Sequence, residues 1–332
     1  MSAQSAIYHY LKPLIFRFDA ERMHDLALNT LNALTPHPGL LRLCDLAFNF
    51  RHEALEQRVM GLDFPNPIIL AAGLDKHAKA TTVWQHLGFG GVEIGSVTAL
   101  AQEGNPKPRL FRLRENEAII NRFGFNNEGA DVLAAKIAKQ RTDLKIPLGI
   151  NIGKSKLAPL DKASEDYLYS LERLWALADY LVINVSSPNT QGLRQLQDKG
   201  HLDELLGALT GFLAKRRPLV LKIAPDLSFK QIDDILELVQ KYQLEGLIAT
   251  NTTLSREGLR DKTLSQETGG LSGKPLAKRS REILSYLTAQ KLNLPIISVG
   301  GLWMLMMSMR DWLWERAWCR FIAGISIRGR LG

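Results

Sequence analysis

Lys222 stands in the middle of the apolar run Leu219-Val220-Leu221-Lys222-Ile223. Burying an ammonium group is costly unless an anion or a strong acceptor meets it. Either a carboxylate on a neighbouring strand pairs with it, or it faces a ligand on which negative charge collects. Other apolar runs lead into polar residues with chemistry of their own. One runs into Ala71-Ala72-Gly73-Leu74-Asp75-Lys76, a second into Gly95-Ser96, two carry Asn151 and Asn184, and another ends Thr250-Asn251-Thr252. Small residues beside amides and hydroxyls let a flat ring lie against the backbone with its edges hydrogen-bonded. Turns and helix caps use the same residue types, yet five such ends in one chain are hard to assign to capping alone.

Ser187 lies just past a buried run, in Ile183-Asn184-Val185-Ser186-Ser187-Pro188-Asn189. Its hydroxyl could close a local turn. No histidine lies within the motif, so a Ser–His–Asp triad has no local support. Gly269-Gly270-Leu271-Ser272-Gly273 and Gly300-Gly301 offer backbone N–H groups on successive loops, where barrel enzymes often hold phosphate. Tight turns use glycine pairs too. Neither GxGxxG opening a helix nor GxxxxGK[ST] is present, which argues against a dinucleotide fingerprint and a P-loop.

Short apolar runs at 68–71, 92–94, 148–152, 181–185, 219–223, 247–250 and 296–299 read as parallel strands buried on both faces. Helical patterns at 127–140, 165–178, 228–242 and 276–291 alternate with them, with Ser228 a good N-cap. Seven strands with crossover helices suit an open doubly wound sheet or a (β/α)8 barrel lacking one strand. Polar residues gathered at the strand ends favour the barrel. Residues 1–45 read as two helices, with Asp19 an N-cap and Met23, Ala27, Leu31 and Leu34 on one face. Tyr8, Tyr10, Leu11, Leu14, Ile15 and Phe16 are more apolar than a surface helix needs. This lobe either packs on the barrel or dips into a membrane surface.

The chain has 332 residues, 45% hydrophobic and 23% charged, and no apolar stretch long enough to span a bilayer. Lys12, Arg17 and Asp19 interrupt the N-terminus, which argues against a secretory signal. Cys44 and Cys319 have no metal-ligand or redox spacing, so no metal site is expected. The net charge of +8 is scattered, which argues against nucleic acid and for phosphate-bearing or carboxylate ligands.

In chain order, AAGLDK, PRLFRL, NRFGFNN, GINIGK, INVSSPNT, KIAPDLS, IATNTT and GGLSGKPL resemble the dihydroorotate dehydrogenase family, from the N-terminal helices to Gly301. Ser187 where class 1 enzymes carry cysteine, together with the N-terminal extension, points to class 2. The resemblance implies oxidation of dihydroorotate to orotate in pyrimidine synthesis, with hydride passing to FMN and electrons on to a membrane quinone. It implies FMN against Ala71, Ala72, Gly73, Leu74 and Asp75, and at Ser96, Asn151, Asn184, Lys222, Thr250, Gly273 and Gly301. Lys222 would then lie beside the flavin pyrimidine edge. Substrate would meet Lys76, Asn121, Arg122, Phe123, Gly124 and Phe125, and also Asn184, Asn189, Asn251 and Thr252. Lys76 would hold the carboxylate and Ser187 would take the C5 proton. A quinone site is implied between lobe and barrel, near His24 and Arg112, with peripheral contact at the cytoplasmic face of the cell membrane. Ser96 stands where threonine is usual and keeps the hydroxyl. Two rivals remain: another FMN barrel oxidoreductase with a different pyrimidine or a soluble acceptor, and a non-catalytic remnant.

The division expected is a helical lobe at 1–45, an FMN-binding barrel at 46–301 and an aberrant tail at 302–332. The tail holds four of the six tryptophans and four of the seven methionines. Both residues have one codon. If each codon borrows its first base from the preceding one, Trp303/Met304 and Met306/Met307 force aspartate and Trp318/Cys319 forces valine. Such a shifted reading permits a helix and the missing eighth strand. As it stands, the tail leaves the first and seventh strand edges open unless residues 320–325 make a crude strand.

Overall fold

The computed structural model describes residues 13–212 and 217–300, with the backbone of 322–326. Two helices come first, α1 (Ala20–Leu34) and α2 (Pro38–Phe48). The Asp19 carboxylate caps α1, accepting from the Arg22 N–H at 2.9 Å. The hairpin β1 (Gln57–Val59) and β2 (Leu62–Phe64) leads into β3 (Ile68–Leu70) and β4 (Gly91–Val97). A second hairpin, β5 (Leu110–Leu113) and β6 (Ala118–Asn121), precedes α3 (Ala130–Gln140) and β7 (Leu148–Ile152). Helix and strand then alternate through α4 (Ala163–Leu174), β8 (Tyr180–Asn184), α5 (Lys199–Phe212), β9 (Leu219–Ile223), α6 (Phe229–Lys241) and β10 (Gly246–Ala249). The remaining elements are β11 (Gly270–Gly273), α7 (Ala277–Ala289), β12 (Ile296–Val299) and β13 (Ile322–Ser326). Ser228 and Gln231 form the reciprocal capping box that the sequence suggests for α6.

Eight strands close a barrel in the order β3-β4-β7-β8-β9-β10-β12-β13. Neighbours from β3 round to β12 are parallel. The last strand is not. β13 runs antiparallel to both β12 and β3, with Ala323 beside Val299 and Ile322 beside Leu70. An altered eighth strand was the expectation, and the crude strand expected at 320–325 occurs at Ile322–Ser326. Open edges on the first and seventh strands are thereby corrected, because β13 hydrogen-bonds both. Its reversed direction puts the start of the strand, not its end, on the rim where the other seven strands finish.

Strands β7, β8 and β9 are buried along their whole length, as strands covered on both faces must be. Period-two alternation sends Leu181 and Ile183 of β8, with Leu219, Leu221 and Ile223 of β9, outward against the helices. Tyr180, Val182, Val220, Ile248 and Ile297 point inward, with Val59 and Phe64 of the first hairpin packed under them. The same parity places Glu93, Asn151, Asn184 and Lys222 inside the barrel.

A separate antiparallel sheet, β11-β6-β5, packs Leu113, Ala118, Ile120 and Leu271 together. β11 lies about 150 residues beyond the β5–β6 hairpin it joins, with Gly273 beside Ala118, so no local alternation announces it. The 269–273 segment is therefore strand over most of its length, not the open glycine loop the sequence suggests. Helix α3 starts at Ala130 and not at 127, because Gly129 sits at φ 83° and Asn127 folds back. The Asn127 amide donates to Thr98 Oγ1 and Phe125 O, and its Oδ1 accepts from the Gly129 N–H. Helix α2 carries the lobe to Phe48, slightly beyond 45; most of the apolar 8–16 segment lies outside the described residues.

Candidate active site

At the C-terminal ends of the parallel strands is a cavity of about 120 Å³, roofed by Leu110, Ile119 and Asn121 of the three-stranded sheet. Ala71, Ala72, Gly73, Gly273 and Gly300 give it small-residue walls, and Ser96, Asn184, Lys222, Thr250, Asn251 and Thr252 its polar ones. Lys76, Phe123, Gly124, Phe125, Ser187 and Asn189 also line it.

Lys222 realises both alternatives its burial left open. Its Nζ pairs with Glu93 Oε1 at 3.2 Å, and its side chain also lines the cavity. The partner is on β4, across the barrel rather than on a neighbouring strand. Asn151 Nδ2 donates to the same Glu93 oxygen at 2.7 Å. Ser96 Oγ and Asn184 Nδ2 both donate to Asn151 Oδ1. Asn184 Oδ1 in turn accepts from Ser186 Oγ at 2.8 Å, and Ser186 Oγ accepts from Asn251 Nδ2 at 2.9 Å. One hydrogen-bond chain thus crosses the floor from Lys222 to Asn251. Asn151 stands behind Ser96 and Asn184 in this chain, not on the cavity wall.

Lys76, which follows β3 on the opposite side of the barrel from β9, also lines the cavity; it is only 6% exposed, with Nζ 3.4 Å from the centre of the Phe123 ring. Burial, reinforced by the Arg109 cation, pulls its pKa from the usual lysine range down to about 7, although Glu21, Asp25 and Asp75 pull the other way. Arg109 is itself buried and paired with Glu21 of α1 at 2.8 Å. Burial raises the Glu21 carboxyl, but hydrogen bonds and charge from Arg109 and Lys107 outweigh it and hold it below the usual range. His24 Nε2 lies 2.9 Å from the Leu74 carbonyl and Arg112 Nη1 donates to Phe18 O, so both residues expected near a quinone sit at the junction of lobe and barrel.

Ser187 follows β8, and its Oγ accepts from the Asn189 N–H at 3.3 Å while facing the cavity. The local turn and the cavity position coexist. Asn189 Nδ2 donates to Asn121 Oδ1, whereas Asn189 Oδ1 is buried without a partner. Arg194 holds this loop: it donates to Ser186 O at 3.0 Å and Thr252 O at 2.8 Å, and pairs with Asp226 at 2.7 Å.

Besides Asn151, three expected contacts are not brought to the cavity. Asp75 is wholly buried and serves its own loop, accepting from the N–H groups of Lys79 and Ala80 and from Trp84 Nε1. Leu74 packs in the core. Arg122 turns outward to Glu267 at 2.5 Å. Gly301 lies outside the described residues. Sequence reasoning passed over Glu93, Ser186, Arg194, Arg109 and Glu21. Glu93 had a signal, a carboxylate between Val92 and Ile94 in an apolar run.

The model of the dihydroorotate dehydrogenase family matches residues 54–317. The chain belongs to that family. A protein named dihydroorotate dehydrogenase (quinone) from Gloeobacter violaceus is 46% identical, over 97% of this chain and 94% of its own. A protein of the same name from Thermus thermophilus is 48% identical, over 86% and 82%. Ligand-bound dihydroorotate dehydrogenase of Eimeria tenella, solved with ferulenol, superposes with a TM-score of 0.74 at 37% identity, covering 83% of this chain and 80% of its own. Class 2 is the branch to which the two quinone-dependent names point.

Proposed function

We propose that this chain oxidises dihydroorotate to orotate with FMN as the bound carrier and a membrane quinone as the final acceptor. The observation that carries the reading is one cavity lined by two buried lysines from opposite sides of the barrel, Lys76 after β3 and Lys222 on β9, with the Ser187 hydroxyl and several amides in its wall. The small walls and the Lys222–Glu93 pair fit a flat flavin with its pyrimidine edge toward the cation. Ser96, Asn184, Lys222 and Thr250 would hold it, with Gly273 and Gly300 toward its phosphate. FMN would supply a two-electron acceptor. Lys76 holds the substrate carboxylate. Asn121 and Asn189 meet the imide edge, where the unpartnered Asn189 Oδ1 matches a ring N–H. Ser187 takes the proton from C5, helped by a water or neighbour, since serine alone is a weak base.

Membrane contact through the lobe is supported by its surface. Of the thirteen large hydrophobic residues exposed among those described, seven lie between Leu14 and Phe50. No described helix is long and apolar enough to cross a membrane, so the attachment proposed is peripheral, on the cytoplasmic face. Residues 302–332 are read as a frame-shifted copy of the last βα unit, which the reversed β13 supports.

The test is to purify the chain, record its flavin bands, add dihydroorotate without oxygen and then add a quinone. Bleaching followed by recovery supports the proposal. Recovery only with a soluble acceptor favours the first rival, and a flavin-free protein favours the remnant.

A further inference from the structure

Glu93 is wholly buried, and only one of its two carboxylate oxygens is hydrogen-bonded; Oε2 has no partner. A buried ion pair is rarely a net gain in stability over apolar side chains of the same volume, least of all with an orphaned oxygen. A positional account fits better. A carboxylate only accepts. Glu93 Oε1 therefore turns the Asn151 amide so that Nδ2 faces it, which leaves Asn151 Oδ1 toward Ser96 and Asn184. That in turn aims Asn184 Nδ2 at Ser96 Oγ and Asn184 Oδ1 at Ser186. The same oxygen holds Lys222 Nζ from across the barrel. Residues on β4, β7, β8 and β9 thus take their orientation from one acceptor beneath the cavity.

We propose that Glu93 is a positioning residue: it holds Lys222 in place, offsets part of its charge, and, by orienting the Asn151 amide behind the wall, fixes which atoms of Ser96 and Asn184 face the ligand. This rests on the flavin reading above. Reduced flavin gathers negative charge near its pyrimidine edge, so the net charge of the Glu93–Lys222 pair bears on how tightly the reduced form is held relative to the oxidised one.

The experiment measures the midpoint potential of bound FMN in the full chain by spectroelectrochemical titration. It compares the parent with Glu93→Gln, Lys222→Met and the double variant. Glu93→Gln unmasks the lysine and should favour reduced over oxidised flavin by about tenfold, which is about 30 mV upward for a two-electron couple. Lys222→Met should move the potential down. Shifts of the same sign, or none, in a parent that binds flavin overturn the inference alone. A parent that binds no flavin overturns it together with the flavin reading. Should either single variant fold poorly, the double decides, since removing both charges leaves neither orphaned. The double should regain the thermal midpoint lost by the singles, and a double as unstable as the summed singles overturns the inference.

Discussion

Two side chains at the cavity face opposite proton problems. In the proposed reaction Ser187 would gain a proton from carbon, although its Oγ already accepts a hydrogen bond from Asn189 N–H and an ordinary serine is a weak base. To hold a carboxylate as proposed, Lys76 would have to keep a proton although burial draws its pKa to about 7. Ser187→Ala should retain flavin and slow its reduction by dihydroorotate roughly 10²–10⁴-fold, the usual worth of a positioned base. Stopped-flow bleaching at the parent rate would remove that role. For Lys76 the sign follows from linkage: a carboxylate ligand prefers the ammonium, which predominates in the free protein only below about pH 7. Orotate affinity should therefore be level in mild acid and fall by up to about tenfold per pH unit above neutrality, as protonation becomes part of binding. Calorimetric titration across that range checks it, and a flat profile assigns the carboxylate elsewhere. Lys76→Ala should flatten the profile and weaken binding by roughly ten- to a hundredfold.

Loops and helices hold these side chains. Arg194 joins three loops, those following β8, β9 and β10, by bonds to Ser186 O, Asp226 and Thr252 O. Arg194→Ala should cost about 2 kcal/mol of stability for the lost charge-assisted bonds. It should also lower kcat more than it raises KM, because a displaced Ser187 loop harms the reacting geometry first. An unchanged kcat would make Arg194 a stability residue only. Helix α1 reaches the same site from the other side through Glu21 and Arg109. Deleting residues 1–45 should abolish quinone reduction yet leave flavin reduction by dihydroorotate measurable. The loss of Glu21 leaves Arg109 unpaired near Lys76, so orotate affinity should drop as well. Normal quinone reduction by the deleted protein would reduce the lobe to a cap.

At the scale of the whole molecule, closure depends on a strand running the wrong way. β13 satisfies the edges of β3 and β12, whose unpaired groups would otherwise cost on the order of 1–3 kcal/mol each against a total margin of roughly 5–15 kcal/mol. It does not place a strand end and following helix on the active-site rim, where barrels of this type commonly complete a phosphate site. The chain should therefore fold, hold FMN more weakly than a frame-restored version and melt at a lower temperature. Equal flavin content and equal midpoints for the two proteins would show that the tail is native.

Sequence alone determined the parallel strands, because runs such as Leu148–Ile152 and Leu219–Ile223 are largely apolar on both faces, and it marked Asn151 and Lys222 as polar residues within them, whereas barrel closure decided which face turned inward. It also determined the family, through ordered motifs that surround the cavity. It did not pair Lys222, since the Glu93 carboxylate lies 129 residues away and meets it only when the barrel closes. It did not separate Asp75 from Lys76, adjacent in the chain but serving a loop and a cavity respectively. Nor did it foresee the roof, where Gly270–Gly273 pairs with Ala118–Asn121. Composition and periodicity report what a segment buries, whereas partners across a closed barrel are chosen by register and curvature, which no local window contains.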